Sequence, residues 1–137
     1  MSYVMLHESL SRYLNAIENR IEKIGASYIE KYREHLLTHT RANLSIRIRF
    51  SSGHLLEISE ALTVYQNNVE CISYRYHFQD GSGALIFRYD DTPHFPALPD
   101  FPCHRHAPEA VISCTKPDLL RVCDEITGYF QSDSAMP

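Results

Sequence analysis

The chain has 137 residues, of which 44% are hydrophobic, and a net charge of −4 at pH 7. This length and composition fit a single globular domain, and the charge argues against a uniformly basic nucleic-acid-binding protein. No apolar run reaches transmembrane length and the start lacks the features of a signal peptide, so we expect a cytoplasmic protein without membrane association. We expect one domain over residues 1–137, frayed at 1–8 and 131–137.

The four cysteines do not form a C-x-x-C motif; they are Cys71, Cys103, Cys114 and Cys123. A disulfide framework needs an oxidising compartment and is usually denser than four cysteines in a chain of this length. We therefore expect four free thiols.

Hydrophobic residues at spacings of three and four predict one long helix, or two joined helices, from Glu8 to about His39. The apolar stripe consists of Leu10, Leu14, Ile17, Ile21, Ile24, Tyr28, Tyr32 and Leu36. Gly25 is a candidate for a kink or a break. We expect the stripe to pack on the protein's own sheet; pairing with a second copy or with another protein is the alternative.

Residues 44–50 alternate between apolar and polar side chains, which predicts a half-buried strand. A three-residue loop after this strand aligns Ile48 with Leu56 on the next strand. The same register brings Arg47 opposite Glu57 on the other face, so that opposite charges meet. A hairpin with antiparallel strands is therefore predicted.

Two more strands of the same meander are predicted after turns at residues 66–68 and 80–83. Ile72 is expected to face the core on the first of them. The hairpin between the two strands is expected to place Arg75 directly opposite Arg88. Two like charges in this arrangement repel, unless an acid or a phosphate lies between them.

The C-terminal helix is predicted to begin at Thr115 or Lys116, and Pro117 suits its first turn. Its apolar face consists of Leu119, Leu120, Val122, Cys123, Ile126 and Phe130. Residues 110–113 form a candidate fifth strand. The predicted fold is α+β, with a long N-terminal helix, a four- to five-stranded antiparallel meander, and a C-terminal helix packed on the same face of the sheet.

The sheet face opposite the helices is expected to be open and rich in arginine. It carries Arg47, Arg49, Arg75, His77 and Arg88, together with Glu57 and Asp90. Guanidinium groups match phosphate in bidentate geometry, so binding of RNA phosphates is one interpretation. The alternative is that these charges are simply solvated.

A loop rich in histidine and proline leaves the last long strand after Asp90 and extends to His106. Its prolines fix φ and remove backbone donors, which argues against a helix or a ladder-forming strand. Loops this long in compact domains are usually functional or disordered. We expect His94, His104 and His106 to lie at the rim of the arginine-bearing face, with Arg105 as a further cation.

Three interpretations of this loop remain open. In the first, two imidazoles and an arginine carry out metal-independent RNA cleavage by acid–base catalysis. The candidate catalytic residues are His94, His104, His106, His77 and Asp90, and the candidate substrate-binding residues are Arg75, Arg88, Arg47, Arg49 and Arg105. In the second, a divalent metal such as zinc is the cofactor. Its ligands would be Asp90, His94, His104 and His106. In the third, these side chains only satisfy the loop's own backbone.

Several motifs resemble the TumE family, whose members are small bacterial toxins of toxin–antitoxin modules. They are Tyr74-Arg75-Tyr76-His77-Phe78, Asp80-Gly81, Arg88-Tyr89-Asp90-Asp91-Thr92-Pro93-His94 and Phe101-Pro102-Cys103-His104-Arg105-His106. The resemblance covers roughly Leu44 to Phe130. Phe95 and Cys103 stand where the family pattern has histidine, and Asp91 stands where asparagine is common.

The resemblance implies a bacterial toxin whose gene neighbours a helix-turn-helix antitoxin. Together with the loop, it favours a toxin that acts on RNA, with a metal-independent endoribonuclease as the form of activity and no cofactor. The alternatives are a metal-binding domain and a non-catalytic interaction module that uses the apolar stripe of the first helix.

Overall fold

The computed structural model describes residues 5–93 and 95–135, so His94 lies outside the described residues. In chain order the elements are α1 (Glu8–Glu22), β1 (Ser27–Thr38), β2 (Arg41–Phe50), β3 (Leu55–Tyr65), β4 (Asn68–Gln79), β5 (Leu85–Asp90), β6 (His104–Ala107), β7 (Ala110–Ser113) and α2 (Leu119–Ala135). The strands form one antiparallel sheet in which each strand pairs with its neighbours in sequence, from β1 to β7.

Both helices share one hydrophobic core with one face of the sheet. The helices contribute Leu10, Leu14, Ile17, Ile21, Leu119, Val122, Cys123 and Ile126, and the sheet contributes mainly Leu44, Ile46, Ile48, Leu56, Ile58, Tyr76, Phe78 and Phe87. The predicted α+β class and the shared face of the two helices are confirmed. The described residues form seven strands, however, and not four or five.

The predicted long N-terminal helix is wrong, because α1 ends at Glu22 and the second half of the segment is strand β1. The break lies near Gly25, where Ala26 adopts a positive φ of 54°. Tyr32 and Leu36 lie opposite Ile46 and Ala42 on the core face of the sheet, whereas a β-bulge between Ile29 and Lys31 brings Tyr28 opposite Arg49 on the other face. The apolar residues of α1 are buried in the core, whereas Tyr28 and Leu36 of β1 are 58% and 37% exposed, so the interaction module based on this stripe stays a prediction for its β1 half.

The hairpin that joins β2 to β3 agrees with the prediction. Ile48 lies opposite Leu56 and Arg47 opposite Glu57. Gly53 closes the turn with a φ of 92°, a conformation that favours glycine. The residues that close this hairpin therefore set the register of the sheet's centre.

The predicted pairing of Arg75 with Arg88 is wrong. Arg75 lies opposite Asp90, and His77 lies opposite Arg88. The connection between β4 and β5 comprises residues 80–84, and an irregularity in the ladder skips Ile86. Both changes shift the β4–β5 register in the same direction. As a result, Arg75 lies opposite the acidic residue Asp90 and not opposite a second arginine.

Ile72 does not face the core as predicted. A β-bulge interrupts the pairing of β3 with β4 at this residue, and the Ile72 side chain is 49% exposed. Cys71 packs against the core instead, opposite Leu62. The bulge therefore reverses which side chains at the start of β4 face the core, and β3 and β4 remain paired on both sides of it.

The last residues of the proline-rich loop, 104–106, belong to strand β6, although the prolines were expected to argue against a strand. The four residues of β6 pair with β5 on one side and with β7 on the other. The loop's prolines end at Pro102, so the residues of β6 keep their backbone donors. The candidate strand over residues 110–113 is confirmed as β7.

Helix α2 begins at Leu119, later than the predicted Thr115 or Lys116, and continues beyond Gln131, where fraying was expected. The Asp118 carboxylate accepts a hydrogen bond from the backbone N–H of Leu120. Neither helix of the described residues is long and apolar enough to span a bilayer. All four cysteines are free thiols, as expected.

Candidate functional site

The open face of the sheet carries two rows of side chains that cross the strands at matched register. From β2 to β6, the first row is Arg47, Glu57, His77, Arg88 and His106. The second row is Ser45, Ser59, Arg75, Asp90 and His104. Both rows end on β6, so the two imidazoles lie at one end of a face that bears arginines.

Asp90, His104 and His106 form a compact cluster at this end. Asp90 Oδ1 lies 2.8 Å from His104 Nε2, and Asp90 Oδ2 lies 3.7 Å from His106 Nε2. The centroids of the two imidazole rings are 4.6 Å apart. The His104 side chain is 1% exposed, whereas that of His106 is 14% exposed. His106 is therefore the imidazole of this cluster that solvent or a substrate can reach.

Backbone and arginine contacts hold the cluster in place. Pro102 O lies 2.9 Å from His104 Nδ1, which donates to this carbonyl and turns Nε2 toward Asp90. The backbone N–H of Thr92 donates to Asp90 Oδ1 at 3.1 Å, and Arg88 Nε donates to Asp90 Oδ2 at 3.0 Å. Each oxygen of the Asp90 carboxylate therefore accepts one of these hydrogen bonds.

Phe95 packs against both imidazoles, with ring centroids 5.2 Å from His104 and 5.9 Å from His106. From the sequence, Phe95 was expected to be an apolar anchor of the loop at a position where the family pattern has histidine. Its position over the cluster depends on the path of the loop, which no sequence pattern indicates. The predicted site residue His94 lies outside the described residues, so its position is not assigned.

The predicted arginines differ in what they contact. Arg47 and Arg49 both form ion pairs with Glu30, at 3.1 and 3.3 Å, and Arg88 is paired with Asp90. Arg75 is exposed and forms no ion pair with the described part of the chain. Arg75 therefore presents a guanidinium without an ion-pair partner among the described residues, at the strand position opposite Asp90.

The surface beside Arg75 is concave. A depression of about 400 Å³ is lined by Arg75, Ser59, Ser73 and Thr92, among others. Asp91 supports its rim, because its Oδ1 accepts hydrogen bonds from the Ser73 hydroxyl and from the backbone N–H of Tyr74. The depression offers hydroxyl groups and the Arg75 guanidinium, which has no ion-pair partner among the described residues.

Two further predicted site residues, Arg105 and His77, also lie outside the cluster. Arg105 lies on the helix side of the sheet, where it is paired with Glu125 at 3.1 Å and lies over the Tyr89 ring. Alternation along β6 explains this placement, since Arg105 lies between two residues that face the open side. His77 is on the open face, but β5 separates it from His106, and its Nε2 contacts Gln79 Oε1 at 2.9 Å.

A second buried carboxylate lies under the helices. Glu60 accepts hydrogen bonds from the Tyr13 hydroxyl, at 2.6 Å, and from the Tyr76 hydroxyl. Lys116 Nζ lies 3.9 Å from the same carboxylate. Burial, followed by the negative charge of Glu60, raises the pKa of both tyrosines well above the usual value. This cluster belongs to the core and is separate from the open face.

The fold and the site define an α+β protein with a carboxylate–imidazole cluster and a free arginine on the open face of its sheet. The family model of toxin TumE matches residues 14–131, which is most of the chain, and the chain belongs to this family. The resemblance seen in the sequence is thereby confirmed. A search of curated proteins and a search of solved structures gave no match. The family assignment identifies a toxin component of a toxin–antitoxin system and implies an antitoxin partner.

Proposed function

We propose that this toxin acts on RNA through its open sheet face, with cleavage of a phosphodiester as the reaction, and that a helix-turn-helix antitoxin neutralises it. The observation that carries the proposal is the position of Arg75, opposite Asp90 in the ladder, exposed and without an ion pair in the described chain. A free guanidinium beside a carboxylate–imidazole cluster suits a phosphate whose neighbouring bond is to be broken.

The arginines divide into two roles in this proposal. Arg75 binds a phosphate of the RNA, because its charge is not already compensated. Arg88 positions Asp90 through the hydrogen bond to Oδ2. Arg47 and Arg49 share the charge of Glu30 and add only a weaker positive field on the far side of the depression.

A direct two-imidazole mechanism fits the cluster poorly. In an in-line displacement at phosphorus, the base and the acid act on opposite sides of the phosphate. His104 and His106 have ring centroids only 4.6 Å apart, face one carboxylate, and His104 is buried. We therefore assign contact with the substrate to His106, and we assign to Asp90 and His104 the role of positioning and polarising that contact.

Inducible expression tests the proposal directly. The parent chain is expected to arrest growth and to fragment cellular RNA, whereas Arg75→Ala and His106→Ala are expected to leave both growth and RNA intact. Arg121→Ala is the matched control, since this side chain is exposed on α2, away from the open face, and the variant should behave like the parent. Western blotting confirms that all variants accumulate equally.

Each outcome bears on a different part of the proposal. Normal growth with the parent would contradict the toxin activity. Growth arrest with intact RNA would contradict the RNA target, and arrest by Arg75→Ala would remove the open face from the mechanism. Co-expression of a neighbouring gene product with a helix-turn-helix pattern should restore growth, and continued arrest would contradict the proposed antitoxin class.

A further inference from the structure

We propose that Asp90, His104 and His106 bind one divalent transition-metal ion. The binding site itself stands on the geometry of these three side chains. Only its catalytic use rests on the proposed function: His106, assigned there to contact with the substrate, would make that contact through the bound ion and its water. The proposal separates metal binding, which can be measured on the purified chain, from RNA cleavage.

The three side chains already converge. One ligand atom from each, an oxygen of Asp90 and a nitrogen of each imidazole, lies within 4.8 Å of the other two. Ligands of one zinc ion bond at roughly 2.0–2.2 Å and therefore lie at most about 4.4 Å apart. Small side-chain rotations on rigid, paired strands are enough to bring the three atoms around one ion.

His104 gives the second, independent observation. Its Nε2 is buried and has no hydrogen-bond partner in the described structure, although Asp90 Oδ1 is 2.8 Å away. With Nδ1 donating to Pro102 O, a neutral ring directs its Nε2 lone pair into the cluster. A lone pair this close to a carboxylate oxygen is repelled, unless a cation is shared between them.

The hydrogen bond of His104 Nδ1 to a backbone carbonyl also has a known use at metal sites. Histidine ligands almost always donate their second ring nitrogen to a carbonyl or a carboxylate, which fixes the ring and the tautomer. A protonated His104 paired with Asp90 is the competing explanation. It accounts for the 2.8 Å distance between Nε2 and Asp90 Oδ1, and metal titration of the purified chain separates it from a shared cation.

Arg88 does not block the site. It donates to Asp90 Oδ2 through Nε at 3.0 Å, and a carboxylate oxygen accepts at more than one lone pair. The guanidinium then acts as an outer contact that orients the ligand carboxylate. Oδ1, which faces His104, remains the metal-binding oxygen.

The ligand set indicates the kind of ion. Two imidazoles and one carboxylate suit zinc, iron(II) or manganese(II), whereas magnesium and calcium prefer oxygen ligands alone. Three protein ligands leave a coordination position for water, as in catalytic zinc sites. A bound zinc ion would supply a water that is deprotonated near neutral pH, and this water would be a nucleophile or base for the site.

The test uses the purified full-length chain, stripped with a chelator and titrated separately with Zn²⁺, Mn²⁺ and Fe²⁺ under anaerobic conditions. We expect one ion per chain by elemental analysis after removal of excess metal. His106→Ala should weaken the affinity by at least about 100-fold, since even outer-shell changes cost 10–100-fold. His35→Ala, which removes an exposed histidine elsewhere, should leave the affinity unchanged.

A visible spectrum of the Co²⁺-loaded chain reports on the ligands independently of activity. We expect d–d bands that His106→Ala and the isosteric Asp90→Asn both change, in variants whose far-UV circular dichroism matches the parent. Less than one tenth of an ion per chain, or equal affinity in parent and His106→Ala, would overturn the metal site. Stoichiometric metal with unbroken RNA would leave the metal site standing and overturn the proposed function.

Discussion

Glu60 is a carboxylate in the interior of the molecule, 3% exposed, and it is tolerated because two tyrosine hydroxyls and a lysine surround it. Buried polar groups of this kind cost little when they are all paired and much when one partner is removed. Glu60 and its tyrosines therefore form a unit, and substitutions within it should not have equal effects.

Glu60→Ala should lower the free energy of unfolding by about 3 kcal/mol, because the hydroxyls of Tyr13 and Tyr76 each lose an acceptor at a cost of about 1–3 kcal/mol. Tyr13→Phe should cost only about 1 kcal/mol, since it removes a single hydrogen bond. Glu60→Gln, which keeps an acceptor of the same shape, serves as the control. Urea denaturation at pH 7 measures all three, and equal losses for Ala and Gln would contradict this account.

At the functional site, single residues were partly predictable from the sequence. Asp90, His104 and His106 were identified because titratable groups concentrate in one segment. The contacts that arrange them were not, since Pro102 O and Phe95 reach the imidazoles only through the path of the loop. Arg105 was misplaced because a loop was expected where alternation along β6 decides the face.

At the level of elements, two glycines have opposite roles. Gly128 lies inside α2, and a Cβ placed there meets nothing within 4 Å. Gly53 turns the β2–β3 hairpin with a φ of 92°, and a Cβ there meets the backbone of Gly81 at 3.3 Å. Gly128 therefore weakens α2, whereas the β2–β3 turn requires glycine at position 53.

Gly128→Ala should raise the free energy of unfolding by about 1 kcal/mol, which is the difference in helix propensity between the two residues. Gly53→Ala should lower it by about 1 kcal/mol or more, because alanine is strained at positive φ. Thermal unfolding of both variants, measured in parallel with the parent, tests the pair. A shift of both melting temperatures in the same direction would contradict the assigned roles.

The elements that the sequence predicted well have patterns that allow a single interpretation. Residues 44–50 alternate strictly, and they form β2 with the expected partner strand. β1 was missed because its apolar residues recur every four positions, a spacing that both a helix and a strand satisfy. The error in the β4–β5 register came from a skipped residue, Ile86, and single skipped residues leave little trace in composition.

At the scale of the whole molecule, charge is distributed unevenly although the net charge is −4. Within residues 5–93 and 95–135, Arg75 has no ion-pair partner on the open face, while the neighbouring arginines are paired with acids of the same chain. The proposed RNA contact therefore depends on one strong local cation and not on the overall charge. This makes the salt dependence of binding a sensitive measure of the contact.

Binding of single-stranded RNA should weaken as salt is raised, and Arg75→Ala should reduce the slope of log K against log salt by about 0.7, the value for one lost phosphate contact. Arg121→Ala should leave the slope unchanged, because this exposed arginine lies on α2. Fluorescence anisotropy over a series of salt concentrations measures both. An identical slope for parent and Arg75→Ala would show that Arg75 does not contact a phosphate of the RNA.

The order of strands in the sheet has a consequence for synthesis. Each strand pairs with the one made just before it, so the sheet can grow from β1 onward as the chain leaves the ribosome. Asp90 and Arg75 emerge first, and His104 and His106 arrive only with β6. A nascent chain that stops short of β6 contains neither imidazole of the cluster, so translation has to pass β6 before the complete cluster exists.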